Sequence, residues 1–260
     1  MEEQIVITVN DYQLKGVLHV PEQSNNKKLP LVIICHGFIS SKVGQHRIFV
    51  KTARELCRVG FAVLRFDYSG CGESTGEYRD ITLTRHIEET IEVIAFAVRH
   101  PNIDPDQIVL LGHSLGGGIA ASVAGIDKRI KKLILWSPVA RPFMDIVGIV
   151  GEELYKECLE KHVVNYQGFE VGLDFFDSLA KTHPLEIVKE FHGNVLVVHG
   201  TGDVETPVEN AYMYGLALYK RSQAVNDVRV IDGADHTYNS PVWERELIGL
   251  TLHWLETETA

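Results

Sequence analysis

Cysteine is scarce in this chain and follows no pattern. The four thiols, Cys35, Cys57, Cys71 and Cys158, include no C-x-x-C pair, so neither a zinc site nor a disulfide framework is expected. A reducing compartment, the cytoplasm, suits that usage, and Cys35 in an apolar strand-like run and Cys57 in a helical pattern are expected to be buried thiols. Long apolar runs are missing: none approaches the roughly 18 residues that a membrane span needs. Met1-Glu2-Glu3-Gln4-Ile5 has neither the basic nor the apolar region of a signal peptide. Positive charge is not in excess either. A formal net charge of −10 argues against nucleic-acid phosphates and anionic membranes as partners. Internal repeats and low-complexity tracts are absent, and Ser24-Asn25-Asn26-Lys27-Lys28 reads as a plain solvent loop.

What is present is an alternation of strand and helix patterns along 260 residues, long enough for one large domain. Gln4 to Val9 and Leu14 to Val20 read as strands joined by a turn at Asn10-Asp11, hence an antiparallel edge. Leu31 to Cys35 is continuously apolar, as in a strand buried on both faces. Further strands are predicted at Phe61 to Phe66, 108–112, Leu133 to Trp136, Val195 to Val198 and Val228 to Ile231. Helical spacing predicts helices over Phe49 to Val59, 82–99, from Ser114 onward, and Pro207 to Tyr219. Ser240-Pro241 reads as the start of a C-terminal helix. The expected fold is α/β: a mostly parallel eight-stranded sheet with helices on both faces. Residues 141–192 break the alternation and carry many apolar side chains, among them Phe143, Ile146, Phe169, Phe175 and Phe176. We read them as a cap inserted over the strand ends of a single domain spanning 1–260.

Ligands of such sheets bind at the carboxyl ends of the strands, and four of those ends carry chemistry. Gly112-His113-Ser114-Leu115-Gly116 fits G-x-S-x-G between a strand and a helix, the context of a nucleophile elbow. Asp203 follows Val198-His199-Gly200-Thr201-Gly202, and His236 follows Asp232-Gly233-Ala234-Asp235, each just past a strand. The chain order is Ser, Asp, His. His36-Gly37-Phe38 closes the strand at 31–35. The backbone N–H groups of Phe38 and Leu115 are the natural donors to a developing oxyanion.

Together with Asp67-Tyr68-Ser69-Gly70-Cys71-Gly72-Glu73-Ser74 and Gly116-Gly117, these landmarks resemble the α/β-hydrolase fold serine hydrolases over nearly the whole chain. Gly168-Phe169-Glu170-Val171-Gly172 and Pro184-Leu185-Glu186 resemble bacterial carboxylesterases of the feruloyl/cinnamoyl type. The resemblance implies Ser114 as nucleophile, His236 as general base and then acid, and Asp203 as the carboxylate that orients the imidazole. It implies a small-molecule ester as substrate and no cofactor. A thioesterase, acyltransferase, lipase or peptidase would use the same triad, and a non-catalytic ligand-binding protein would usually have lost a member of it. A homodimer stays open.

Simpler readings accompany these. Asp235, adjacent to His236, points elsewhere. His36, His113 and His199 lack carboxylate or thiolate company at metal spacing and read as structural or pocket-lining. Gly70-Cys71-Gly72 lacks the Lys of a phosphate loop, and Cys71 lacks a base.

Overall fold

A computed structural model describes residues 1–22, 28–219, 221 and 224–257. Of the loop expected over Ser24 to Lys28, all but Lys28 lies outside the described residues. The strands of the main sheet are β1 (Glu2–Val9), β2 (Tyr12–His19), β3 (Leu29–Cys35), β4 (Ala62–Phe66), β5 (Ile103–His113), β6 (Ile130–Trp136), β9 (Asn194–Gly200) and β10 (Asn226–Ile231). Their spatial order is β1-β2-β4-β3-β5-β6-β9-β10. β1 and β2 pair antiparallel, as does β2 with β4, and all other neighbours are parallel. The expected eight-stranded, mostly parallel sheet is therefore present.

Period-2 alternation divides the central strands between two apolar layers. Leu31, Ile33 and Cys35 of β3 join one core and Val32 and Ile34 the other. The first core is closed by α2 (Leu83–Ala97), α3 (Leu115–Ile126) and α8 (Glu209–Leu218), the second by α1 (Ile48–Arg58) and α9 (Pro241–Thr257). Each fully buried Leu or Ile contributes roughly 1.5–3 kcal/mol by leaving water. That is why β3 and β5 tolerate almost no polar residue at their centres.

β5 begins earlier than the apolar run suggests. Leu29 pairs with Ile103, then Leu31 pairs with Ile108, so the polar residues Asp104 to Gln107 bulge out of the ladder. Cys35 is buried as expected, whereas Cys57 is only partly buried, packed against the second core without being enclosed by it. All four thiols are free. Among the described residues no helix is long and apolar enough to cross a membrane.

Between β6 and β9 the chain forms α4 (Pro142–Val150), α5 (Glu152–Lys161), the antiparallel hairpin β7 (Val163–Tyr166) and β8 (Phe169–Gly172), α6 (Leu173–Lys181) and the short α7 (Pro184–Ile187). The hairpin was hidden in the sequence: its strands are four residues each, too short to show alternation. Phe175 and Phe176 are fully buried, while Tyr166 and Phe169 face the cavity described below.

The turn between β5 and α3 is tightly packed. An added Cβ on Gly112 would lie 2.2 Å from the Gly116 carbonyl oxygen, and one on Gly116 would lie 2.2 Å from that of Cys35. We expect Gly112→Ala to destabilise the fold by about 1–3 kcal/mol in urea denaturation. The control is Gly249→Ala in α9, where an added Cβ meets nothing and stability rises by roughly 0.5–1 kcal/mol. Wild-type stability of Gly112→Ala would show that the turn has slack.

Candidate active site

Ser114 sits at the corner of that turn with φ 58° and ψ −126°, a left-handed conformation costly for a residue with a side chain. The corner is fixed on both sides. Its N–H donates to the Trp136 carbonyl at 3.0 Å, and its carbonyl accepts from Gly117 N at 2.9 Å and Val139 N at 3.0 Å. The hydroxyl is thereby held at the C-terminal edge of β5, at the N-terminus of α3.

His236, in the loop after β10, meets Ser114 from one side: Nε2 lies 2.9 Å from Ser114 Oγ. Its Nδ1 lies 2.8 Å from Asp203 Oδ2. An ionised carboxylate only accepts, so Nδ1 carries the proton and Nε2 keeps a lone pair toward Ser114. Asp203, in the loop after β9, accepts from every direction. Glu205 N and Thr206 N donate to Oδ1 at 2.9 Å each. Thr206 Oγ1 at 3.0 Å and His199 Nε2 at 3.1 Å join His236 on Oδ2. Asp235 instead accepts from Thr237 N at 3.2 Å and Asn239 N at 2.8 Å, closing the turn that presents His236.

The other histidines serve as scaffolding. His113 Nε2 donates to the His236 carbonyl at 2.9 Å. Burial and then the neighbouring His236 push its pKa down to about 3, so it stays neutral. His36 Nδ1 donates to the Gly37 carbonyl at 2.9 Å and its Nε2 accepts from Tyr68 N at 3.1 Å, pinning the loop that bears Phe38. Burial also holds the His36 pKa below its ordinary value. Gly37 lies against the serine, since a Cβ there would stand 2.9 Å from Ser114 Cβ. The backbone at Phe38 thus comes up beside Ser114, opposite Leu115, the first residue of α3.

The turn at Gly70-Cys71-Gly72 is built around Asp67, which accepts from Lys42 N at 2.6 Å, Lys42 Nζ at 2.5 Å and Glu73 N at 2.9 Å. Burial, then the charges of Asp67 and Glu89, push the Cys71 thiol far up, leaving it protonated and unreactive. Among the described residues no group of His, Cys, Asp or Glu has the arrangement of a metal site.

A cavity of about 500 Å³ opens beside Ser114. Its apolar walls include Phe38, Ile48, Phe49, Tyr166 and Phe169. The Phe38 ring stacks on Tyr166 and Phe175 at centroid distances of 5.7 and 5.5 Å, so the 141–192 segment forms part of the wall. Sequence reasoning missed Thr206 and Glu205. The only signal for them was their place just after Asp203, where loop N–H groups can wrap back onto a carboxylate.

Comparison with known proteins gives the architecture its name. A family model described as alpha/beta hydrolase fold matches residues 30–154. The structure of Est1E from Butyrivibrio proteoclasticus, determined with ferulic acid bound, superposes with a TM-score of 0.82 at 24% identity, covering 97% of this chain and 99% of that one. The chain has the α/β-hydrolase fold. Among curated relatives, an uncharacterised 31.7 kDa protein of the traX-finO intergenic region of Escherichia coli is 39% identical over 130 residues, 48% of this chain and 44% of that protein. Thiohydrolase aneE of Aspergillus aculeatus is 32% identical over 135 residues, 51% of this α/β-hydrolase-fold chain and 40% of that protein. The matches thus span less than half the length of these relatives.

The electrostatics at Asp203 can be measured. Burial pushes its carboxyl up, but hydrogen bonds from His199 and His236, the charge of His236 and the Thr206 N–H outweigh burial and hold it well below the usual carboxylate range. A carboxyl depressed by folding contributes stability above its unfolded value, about 3.9, and loses it as pH falls toward the folded value. Urea denaturation from about pH 5 to about pH 2.5 should therefore show wild type losing stability relative to Asp203→Asn below about pH 4. A difference that stays flat across that window would mean Asp203 is not held ionised.

Proposed function

We propose that the chain is a serine carboxylic-ester hydrolase that works through an acyl-enzyme. The observation that carries this reading is the continuous hydrogen-bonded line from Ser114 Oγ through His236 to Asp203, with His236 in the tautomer that can accept a proton. His236 Nε2 takes the Ser114 proton as Oγ attacks the ester carbonyl. The oxyanion of the tetrahedral intermediate is met by the N–H groups of Phe38 and Leu115. His236 returns the proton to the departing alcohol, and water, activated by the same nitrogen, then releases the acid. Asp203 stabilises the imidazolium in both halves of the reaction and does not itself take the proton.

Residues 141–192 act as a cap that shapes the acyl site. A cavity of about 500 Å³ with Phe38, Tyr166 and Phe169 in its walls fits small to medium esters. Aromatic acids, hydroxycinnamic acids among them, are the acyl class those rings favour; the ferulic acid held by Est1E supports that class. A thioester is the second reading, favoured by the similarity to Thiohydrolase aneE.

Short p-nitrophenyl esters test the reaction class, and matched ester and thioester pairs of one aromatic acid test the second reading. Ser114→Ala should lose at least about 10⁴-fold in kcat/KM and should no longer be labelled by a fluorophosphonate probe. Wild-type turnover by that variant would remove Ser114 from the mechanism.

A further inference from the structure

Apart from its imidazoles and the neutral Tyr166 phenol, the cavity beside Ser114 carries one ionisable side chain among the described residues. Glu205 lies in its wall, and among the described residues no lysine or arginine does. None pairs with Glu205 either: the ion contact recorded for its carboxylate is with His236, Oε2 standing 3.9 Å from Nε2. The side chain is 50% exposed, yet its origin is fixed, because its N–H is one of the donors that hold Asp203, at 2.9 Å. Its field crosses the cavity mouth. After burial, the Glu205 charge is the next cause that raises the Tyr166 phenol on the facing hairpin.

The direction of that charge is informative. On the ester-hydrolase reading, on which this inference rests, His236 Nε2 hands its proton to the departing alcohol oxygen. A carboxylate beside Nε2 therefore faces the alcohol half of the ester rather than the acyl half. We propose that Glu205 is a specificity-determining residue: it selects esters whose alcohol carries a cationic group, an ammonium a few bonds beyond the ester oxygen, and rejects esters whose alcohol carries a carboxylate. At a separation of about 5 Å in a partly solvated site, one unit charge changes kcat/KM about tenfold in either direction. Glu205 also favours the imidazolium formed in every turnover, but that contribution is common to all substrates and cancels in a ratio between them.

The test uses esters of one aromatic acid with three alcohols of similar size: choline, its uncharged isostere 3,3-dimethylbutanol, and 3-hydroxypropanoate. In Glu205→Gln the choline-to-neutral ratio of kcat/KM should fall about tenfold from its wild-type value, and the 3-hydroxypropanoate-to-neutral ratio should rise by a similar factor. Glu205→Asp keeps the charge and should stay near the wild-type ratios. Added salt should shrink the wild-type discrimination. Equal rate changes for all three esters in Glu205→Gln would mean that the residue acts through His236 alone and would overturn the selection while leaving ester hydrolysis standing. Wild type that hydrolyses p-nitrophenyl esters but none of the three would overturn the selection alone, and wild type that hydrolyses neither would overturn the ester reading and the selection with it.

Discussion

The backbone of the turn between β5 and α3 approaches β3 and its own following helix so closely that no side chain fits between them. Gly112 and Gly116 are the contact points, and the left-handed corner at Ser114 follows from that crossing. A serine alone in such a conformation would relax. Here its N–H is held by β6 and its carbonyl by the first turn of α3 and by Val139, so the strain is offset by packing on both sides. Every other group in the site is placed relative to this corner, and Gly37 touches it directly.

Asp203 shows the same division of labour in electrostatic form. A carboxylate this buried would ordinarily pick up a proton. Main-chain N–H groups of its own loop, a threonine hydroxyl and two imidazoles keep it charged. The loop after β9 is thus shaped around a buried charge that it shares with His236. His113 completes the support from the opposite side, neutral and tied to the His236 carbonyl. The imidazole that contacts Ser114 is therefore fixed through its ring and through its main chain.

Much of this was legible in the sequence where the physics is local. Leu31 to Cys35 and the run before Gly112 are continuously apolar because both faces of those strands are covered, and the residues that end them fall at one edge of the sheet. Ser114, Asp203 and His236 stand out for that reason. The places of Phe38 and Leu115 were legible because main-chain position there depends on the strand and helix they flank, β3 and α3. The rest was hidden where the deciding contact is remote. The beginning of β5 is masked by Asp104 to Gln107, whose polarity belongs to a bulge. The β7–β8 hairpin is too short to show a period. Thr206 and Glu205 carry no pattern of their own; they matter because the loop curls back on Asp203.

Phe38 occupies two places at once. Its peptide nitrogen belongs to the loop that His36 pins beside Ser114, and its ring is sandwiched against Tyr166 and Phe175 of the 141–192 segment. The main chain beside Ser114 and the shape of the neighbouring cavity are therefore not independent variables in this scaffold. A change in the hairpin that moves Tyr166 is passed through the Phe38 ring to the peptide next to Gly37, which lies against Ser114. The 141–192 segment is thus tethered from beneath, by one phenyl ring, and is less free to vary than its exposed outer surface suggests.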